Sequence, residues 1–226
     1  MRLVVATRNK GKVEEIREIL SDLPIEIYWL EDFPDAPRIE EDGDTFEENA
    51  SKKASIIARY LGMPTIADDS GLSVEALNGE PGVRSARFAG EGASDADRNA
   101  KLLSMLQGVP HVERKAKFIC VLVLAFPDGR EVSFRGECEG YITDPPRGGH
   151  GFGYDPVFLV PEYGRTFAEL GPKVKNRISH RAKALRKLKE FLAEELSDEG
   201  HKDLQRDKRC LLYTSDAADE GLGVDL

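Results

Sequence analysis

Apolar and polar positions along this chain change period repeatedly, and each change marks the edge of an element. Leu3 to Thr7 is a short apolar run with the look of a buried strand, and Arg8-Asn9-Lys10-Gly11 is a turn. Val13, Ile16, Ile19 and Leu20 then recur at helical spacing, and Pro24 closes that helix. Ile25 to Leu30 alternates like a second strand. Thr45 with Glu48 forms a capping box ahead of Phe46, Ala50, Ala54, Ile57, Ala58 and Leu61, a long amphipathic helix ended by Gly62 and Pro64. Thr65-Ile66-Ala67 reads as a short strand running into Asp68-Asp69-Ser70-Gly71, and Leu72 to Leu77 reads as another strand. Ser94 opens a further helix striped by Leu102, Leu103 and Leu106. Lys115 to Phe126 is the strongest strand signal; with Asp128-Gly129 and Glu131 to Phe134 it predicts a hairpin. A glycine-rich loop, Pro145 to Gly153, precedes a strand at Val157 to Val160. Ser179 caps the last helix, whose stripe is Ala182, Leu185, Leu188, Leu192 and Leu196.

The 226 residues, 40% apolar and 32% charged, suffice for one globular domain without disulfides or a structural metal. No run of about 18 apolar residues is present, so no membrane span is expected. The N-terminus reads as a first strand, not a signal peptide. Cys120, Cys138 and Cys210 have neither disulfide-framework nor zinc-site spacing, and a reducing cytoplasm is the simplest setting. A net charge of −9 argues against sequence-independent nucleic-acid binding, although a few local cations and a metal ion can still hold a small polyanion. From about Gly200 the periodicity fails. Residues 1–199 are therefore expected to form the domain, and residues 200–226 a disordered or non-native tail.

Four segments carry candidate chemistry. Thr7-Arg8-Asn9-Lys10-Gly11-Lys12 lies between strand and helix, where backbone N–H groups and Lys12 attract phosphate; it lacks the spacing of a Walker loop. Glu40-Glu41 and Asp68-Asp69 offer carboxylates of the kind that bind Mg²⁺ together with substrate phosphates. In Gly148-Gly149-His150-Gly151-Phe152-Gly153-Tyr154-Asp155-Pro156 the glycines allow close backbone approach, and Phe152 can stack on a base. Ser179-His180-Arg181 opens a helix after Lys173 and Lys175. Taken singly, the acidic loop and the helix start read more readily as solvated surface than as a site.

Together these segments resemble the Ham1-like inosine/xanthosine triphosphate pyrophosphatases. The resemblance runs in order through Ala6-Thr7-x-Asn9-x-x-Lys12, Glu40-Glu41-x-Gly43-x-Thr45-Phe46, Asn49-Ala50-x-x-Lys53-Ala54 and Ala67-Asp68-Asp69-Ser70-Gly71-Leu72. It continues through Pro81-Gly82-Val83-x-Ser85-Ala86-Arg87, Gly148-Gly149-x-Gly151-Phe152-Gly153-Tyr154-Asp155-Pro156 and Ile178-Ser179-His180-Arg181. It implies an α/β fold: an elongated mixed central sheet flanked by helices, with two lobes and a cleft between them. It also implies a homodimer and the conversion of ITP, dITP or XTP to the monophosphate and pyrophosphate.

On that resemblance, Asp69 and Glu40 are expected to hold Mg²⁺, with Glu41 as a substitute for Glu40. Asp69 or Asp68 is expected to deprotonate the attacking water. Lys12, Lys53 and Lys175 would neutralise the phosphates within a binding set of Thr7, Arg8, Asn9, Lys10, Gly11 and Ser70. Phe152, Gly153, Tyr154, Asp155, His180 and Arg181 would form the base end. A donor from His180 or Arg181 aimed at O6 of hypoxanthine or xanthine would face the amino group of adenine instead, and leaving such a group unpaired costs about 1–3 kcal/mol. Two other readings stand beside this one: a Maf-like pyrophosphatase acting on other modified nucleotides, and a non-catalytic nucleotide sensor.

Overall fold

The computed structural model describes the backbone of residues 1–215 and the side chains of residues 1–197. The chain runs β1 (Arg2–Val5), α1 (Lys10–Ile19), β2 (Glu26–Trp29), α2 (Phe46–Leu61), β3 (Thr65–Val74) and α3 (Asp95–Met105). There follow β4 (Lys115–Ala125), β5 (Glu131–Ile142), β6 (Phe158–Val160), β7 (Arg165–Thr166), α4 (Phe167–Ile178) and α5 (His180–Ser215). The strands form one mixed sheet in the order β2-β1-β3-β4-β5-β6-β7. Strand β1 is parallel to β2 and β3, and the remaining pairs are antiparallel. A first compact unit, Met1–Leu188, contains the whole sheet, and a second begins at Lys189, within α5. The helix-flanked mixed sheet is the architecture that the resemblance implied.

Local chemistry sets the helix boundaries. Asn9 caps α1 by accepting from the Lys12 N–H. The expected capping box forms at Thr45 with Glu48, and the helix expected to open at Ser94 has a second one, with Asp97. Gly62, left-handed at φ 63°, ends α2. The Ser179 hydroxyl accepts from the Ala182 N–H at the start of α5. That helix continues past Leu196, the last position of its apolar stripe, to Ser215. Of the expected tail, residues 216–226 lie outside the described residues.

Three expectations are corrected. Thr65–Ala67 and Leu72–Leu77 are not separate strands: β3 runs unbroken through Asp68-Asp69-Ser70-Gly71, paired with β4 at every residue, and a 3-10 turn takes Glu75–Leu77. Strand β5 extends to Ile142, beyond the expected Phe134. Helix α4 was not anticipated because Gly171 (φ 73°) and Pro172 break it in the middle.

The two faces of the sheet follow the period of two. Odd-numbered residues of β3 and β4 (Ala67, Ile119, Val121, Val123, Ala125) pack with Phe46, Ala50, Ala54, Ile57 and Ala58 of α2. Even-numbered ones (Leu72, Val74, Ala116, Phe118) pack with Leu102 and Leu106 of α3 and with Phe158 and Phe167. Each large apolar side chain removed from water contributes about 1.5–3 kcal/mol.

The partner of β3 on its other side is short. Strand β1 pairs with it only at Thr65 and Ile66. Beyond that point side chains satisfy the open edge of β3. Lys53 Nζ donates to the main-chain oxygen of Asp68, the Asp69 carboxylate accepts from the Ser70 N–H, and Ser85 Oγ accepts from the Leu72 N–H. From Asp68 onward this edge of β3 therefore meets side chains instead of a neighbouring strand.

Candidate active site

Asp68 and Asp69 sit on that open edge, and the pleat sends their carboxylates to opposite faces. Both are buried, at 5% and 7% exposure. On the even face, Lys12 Nζ donates to Asp68 Oδ1 at 2.9 Å and Oδ2 at 2.8 Å. Ser70 Oγ donates to Asp68 Oδ2 at 3.1 Å, and Arg181 Nη2 approaches the same oxygen at 3.4 Å. Burial opposes ionisation of Asp68, but Lys12, Arg181 and Lys53 outweigh it and hold the carboxyl well below the usual range. Asp68 is thus a fixed anion that ties together β3, α1 and α5.

Asp69 has a different environment. On the odd face its Oδ2 accepts from Asn49 Nδ2 at 2.9 Å and its Oδ1 from the Ser70 N–H at 2.9 Å. Burial raises its pKa to about 6, and the nearby charges of Glu41 and Asp68 push the same way, against Asn49 and Lys53. A carboxyl poised near neutrality is suited to accept a proton. Lys53, on α2, bridges Glu41 Oε1 and the main-chain oxygen of Asp68, both at 2.5 Å. Burial works against its charge, but Asp68 and Glu41 prevail and raise its pKa.

Two recesses, of about 340 and 310 Å³, meet at Thr7 and Lys12. The first is walled by Ser70, Phe118, Phe152, Lys175, His180 and Arg181, and the second by Arg8, Arg38, Glu41 and Lys53. Phe152 is 45% exposed, with Lys175 Nζ 4.3 Å from its ring centroid. Asp155 organises this loop, accepting from Lys175 Nζ at 2.5 Å and from the Phe152 N–H at 2.9 Å. Burial drives the Asp155 pKa up against the pull of Lys175. His180 stacks on Phe118, ring centroids 4.8 Å apart, and burial together with Arg181 and Lys175 keeps the imidazole neutral. Its Nδ1 has no hydrogen-bond partner among the described residues. Helix α5 reaches this position because β5 has glycine at 136: a Cβ there would lie 2.1 Å from the His180 main-chain oxygen.

The predicted residues divide by location. Thr7, Asn9, Lys12, Ser70, Phe152, Gly153, Tyr154, Asp155, Lys175, His180 and Arg181 line the first recess. Arg8 faces the second, while ion-pairing with Glu31 at 3.2 Å. Lys10 is exposed and pairs with Glu14, and Gly11 lies in the exposed first turn of α1. Glu40 is exposed; Glu41 is the acid that touches Lys53 and acts on Asp69. Lys175, expected among the phosphate cations, is committed to Asp155. Arg181 Nη1 pairs with Glu15 at 2.9 Å and Nη2 with Asp68, so only Nε is without a partner among the described residues. The Tyr154 hydroxyl donates to the main-chain oxygen of Ser85.

The residue without a predicted role is Asn49. Its signal was present in the sequence: Asn49 and Lys53 fall on the same helical stripe as Phe46, Ala50, Ala54 and Ile57, polar positions on a face that must be buried.

The Ham1 family model matches residues 3–191. The chain belongs to the Ham1 family. A dITP/XTP pyrophosphatase of Geobacter sulfurreducens is 59% identical over 191 residues, covering 84% of this chain and 96% of that protein. One of Desulforamulus reducens is 53% identical over 192 residues, covering 85% and 96%. Among solved structures, a HAM1 protein from Coxiella burnetii superposes with a TM-score of 0.81 at 45% identity, covering 86% of this chain and 99% of that one. The Staphylococcus aureus Ham1 protein gives 0.80 at 42%, covering 86% and 100%.

Proposed function

We propose that this Ham1-family chain is a hydrolase of acid anhydrides that converts ITP, dITP and XTP to the nucleoside monophosphate and pyrophosphate. The observation that carries the reading is the meeting of a ring-lined recess and a cation-lined one at Thr7 and Lys12, beside Asp68 and Asp69 on the edge of β3. The names of the similar proteins support the same substrate class.

The residues divide the work. Phe152 offers its face to the purine, and neutral His180 and the Arg181 Nε supply polar atoms for the base edge. Lys12, Lys53, Thr7 and Asn9 hold the phosphates. Asp69 orients water against the α-phosphorus and takes its proton. The bond from the α-phosphorus to the oxygen bridging to the β-phosphate breaks, and its electron pair leaves with pyrophosphate. Positioning and charge neutralisation supply most of the rate in such transfers.

The donor set fits Mg²⁺. Among the described residues no three metal-ligating side chains gather, but Mg²⁺ needs only one or two carboxylates plus phosphates. Asp69 and Glu41 are that pair, two anions close enough to disfavour each other's charge. Bound there, the ion would neutralise developing charge on the phosphates. Glu41 takes the place first expected for Glu40.

Residues 1–199 form the catalytic domain in this reading, acting in the cytoplasm as a homodimer without nucleic acid. Among the described residues no helix is long and apolar enough to cross a membrane. The deciding experiment is a product assay with ITP, ATP and GTP in Mg²⁺. One pyrophosphate and one monophosphate per ITP, with ATP slow, is expected. Release of inorganic phosphate, or equal rates on ATP, would refute the assignment.

A further inference from the structure

Helix α3 contributes nothing to the chemistry above, yet it grips the Phe152 loop at one residue from two sides. Asp95 Oδ2 accepts from the Gly153 N–H at 2.7 Å, and Asn99 Nδ2 donates to the Gly153 main-chain oxygen at 3.0 Å. The two side chains are one helical turn apart, so they meet the donor and the acceptor of a single glycine. Gly153 is left-handed, φ 64°, and follows directly on the half-exposed ring of Phe152.

The other atoms of the grip show what it is for. Asp95 Oδ1 pairs with Arg98, whose Nη1 is anchored on the main-chain oxygens of Ala86 and Ala93. Asn99 is buried, and its Oδ1 finds no partner among the described residues. A buried amide with an idle acceptor costs stability, so the one bond it makes, to Gly153, has to account for it. The ring, 45% exposed, faces the cations of Lys175 at 4.3 Å and Arg181 at 5.8 Å, so its height over the recess depends on the main chain that bears it.

We propose that Asp95 and Asn99 are positioning residues that clamp Gly153 and so hold Phe152 at stacking height for the base. The inference rests on the nucleotide reading of the recess. The clamp sets base affinity and base choice and leaves the hydrolytic step untouched.

The test uses the full chain and three substitutions. Asp95→Ala removes the acceptor for the Gly153 N–H. Asn99→Asp is isosteric but sets a carboxylate against the Gly153 oxygen. Asp95→Asn is the conservative rescue, since its amide oxygen still serves the N–H while the negative charge that pairs with Arg98 is lost. Hydrogen exchange of the Gly151–Tyr154 amides should quicken in the first two and return to the wild-type rate in Asp95→Asn. KM for ITP should rise roughly five- to tenfold in the first two with kcat held, as for loss of a binding contact, and the ITP-over-ATP preference should narrow. Unchanged loop exchange overturns the clamp, and so does faster exchange with unchanged KM. If Asn99→Asp does not fold, the comparison of Asp95→Ala with Asp95→Asn decides alone. If wild type does not hydrolyse ITP, the nucleotide reading fails, whereas the exchange result still reports on the grip.

Discussion

Lys12 Nζ lies within 3 Å of both carboxylate oxygens of Asp68, although 56 residues separate them in the chain. Arg181 joins the same carboxylate from α5. One buried anion therefore fixes α1, which follows the Thr7–Asn9 turn, and α5, which bears His180. Removing a buried partner leaves its cations uncompensated, which costs about 3–5 kcal/mol. Asp68→Asn should lower the urea midpoint accordingly, and inorganic pyrophosphate, by pairing with Lys12, should recover part of the loss. In the wild type the Asp68 carboxyl is depressed by folding. Its stabilisation is present above the unfolded value near 4 and is lost as pH falls below it, a decline that Asp68→Asn should not show.

Asp69 has the opposite sign. Its folded carboxyl holds a proton up to about pH 6, against 3.8 when free. Stability attributable to it falls as pH rises from about 4 to 6, by on the order of 3 kcal/mol in all. Asp69→Asn should abolish turnover and yet melt above wild type at pH 8. The gain is trimmed by about 1 kcal/mol, because the new amide meets Asn49 Nδ2, and Asn49 cannot flip while its Oδ1 accepts from the Gly43 N–H. Thermal melts at pH 4 and pH 8 test this: a variant below wild type at both would contradict it.

The acid limb of the wild-type pH profile for kcat/KM should accordingly report Asp69, at or below about 6 because bound Mg²⁺ favours the carboxylate, and Asn49 should tune it. Asn49→Asp replaces a donor to Asp69 with a like charge, which moves a carboxyl upward by about one pH unit or more. Initial rates from pH 5 to 9 should show the limb displaced toward alkali. A limb that stays in place would remove Asn49 from the control of Asp69.

Phe152 should separate binding from folding. Its ring is half in solvent, so Phe152→Ala should leave the melting temperature within about 2 °C, as for surface changes. Base stacking on an aromatic ring is worth about 1–3 kcal/mol. KM for ITP should therefore rise roughly five- to hundredfold with kcat little altered, which steady-state kinetics and a melt on the same sample will show.

Much of this was legible because local rules and tertiary need coincided. Thr45 with Glu48, and Ser94, mark helix starts that the fold keeps. The seven motifs were legible as a set because their order is that of the chain. What hid was tertiary in origin. Strand β5 carries a regular period of two, with Phe134, Gly136, Cys138, Gly140 and Ile142 inward. Two inward places are glycine because α5 and β6 press on them, so the apolar signal dropped out. Asp68-Asp69 looked like a turn because charge at the centre of a strand is costly, and nothing in one sequence shows Lys12 and Lys53 arriving from elsewhere to offset it. That Glu41 meets Lys53, and Lys175 meets Asp155, depends on which way a side chain turns, which spacing does not encode.

The early end of β1 has a kinetic consequence. On the reading proposed above, a nucleotide laid across β3 beyond Ile66 would be held twice, once on each face, and the two grips would reinforce each other for as long as one covalent chain joins them. Cutting that chain between the grips leaves two fragments, each with half the hold and no partner to bring it back. On that reading, release of both products would follow from where β1 stops pairing with β3.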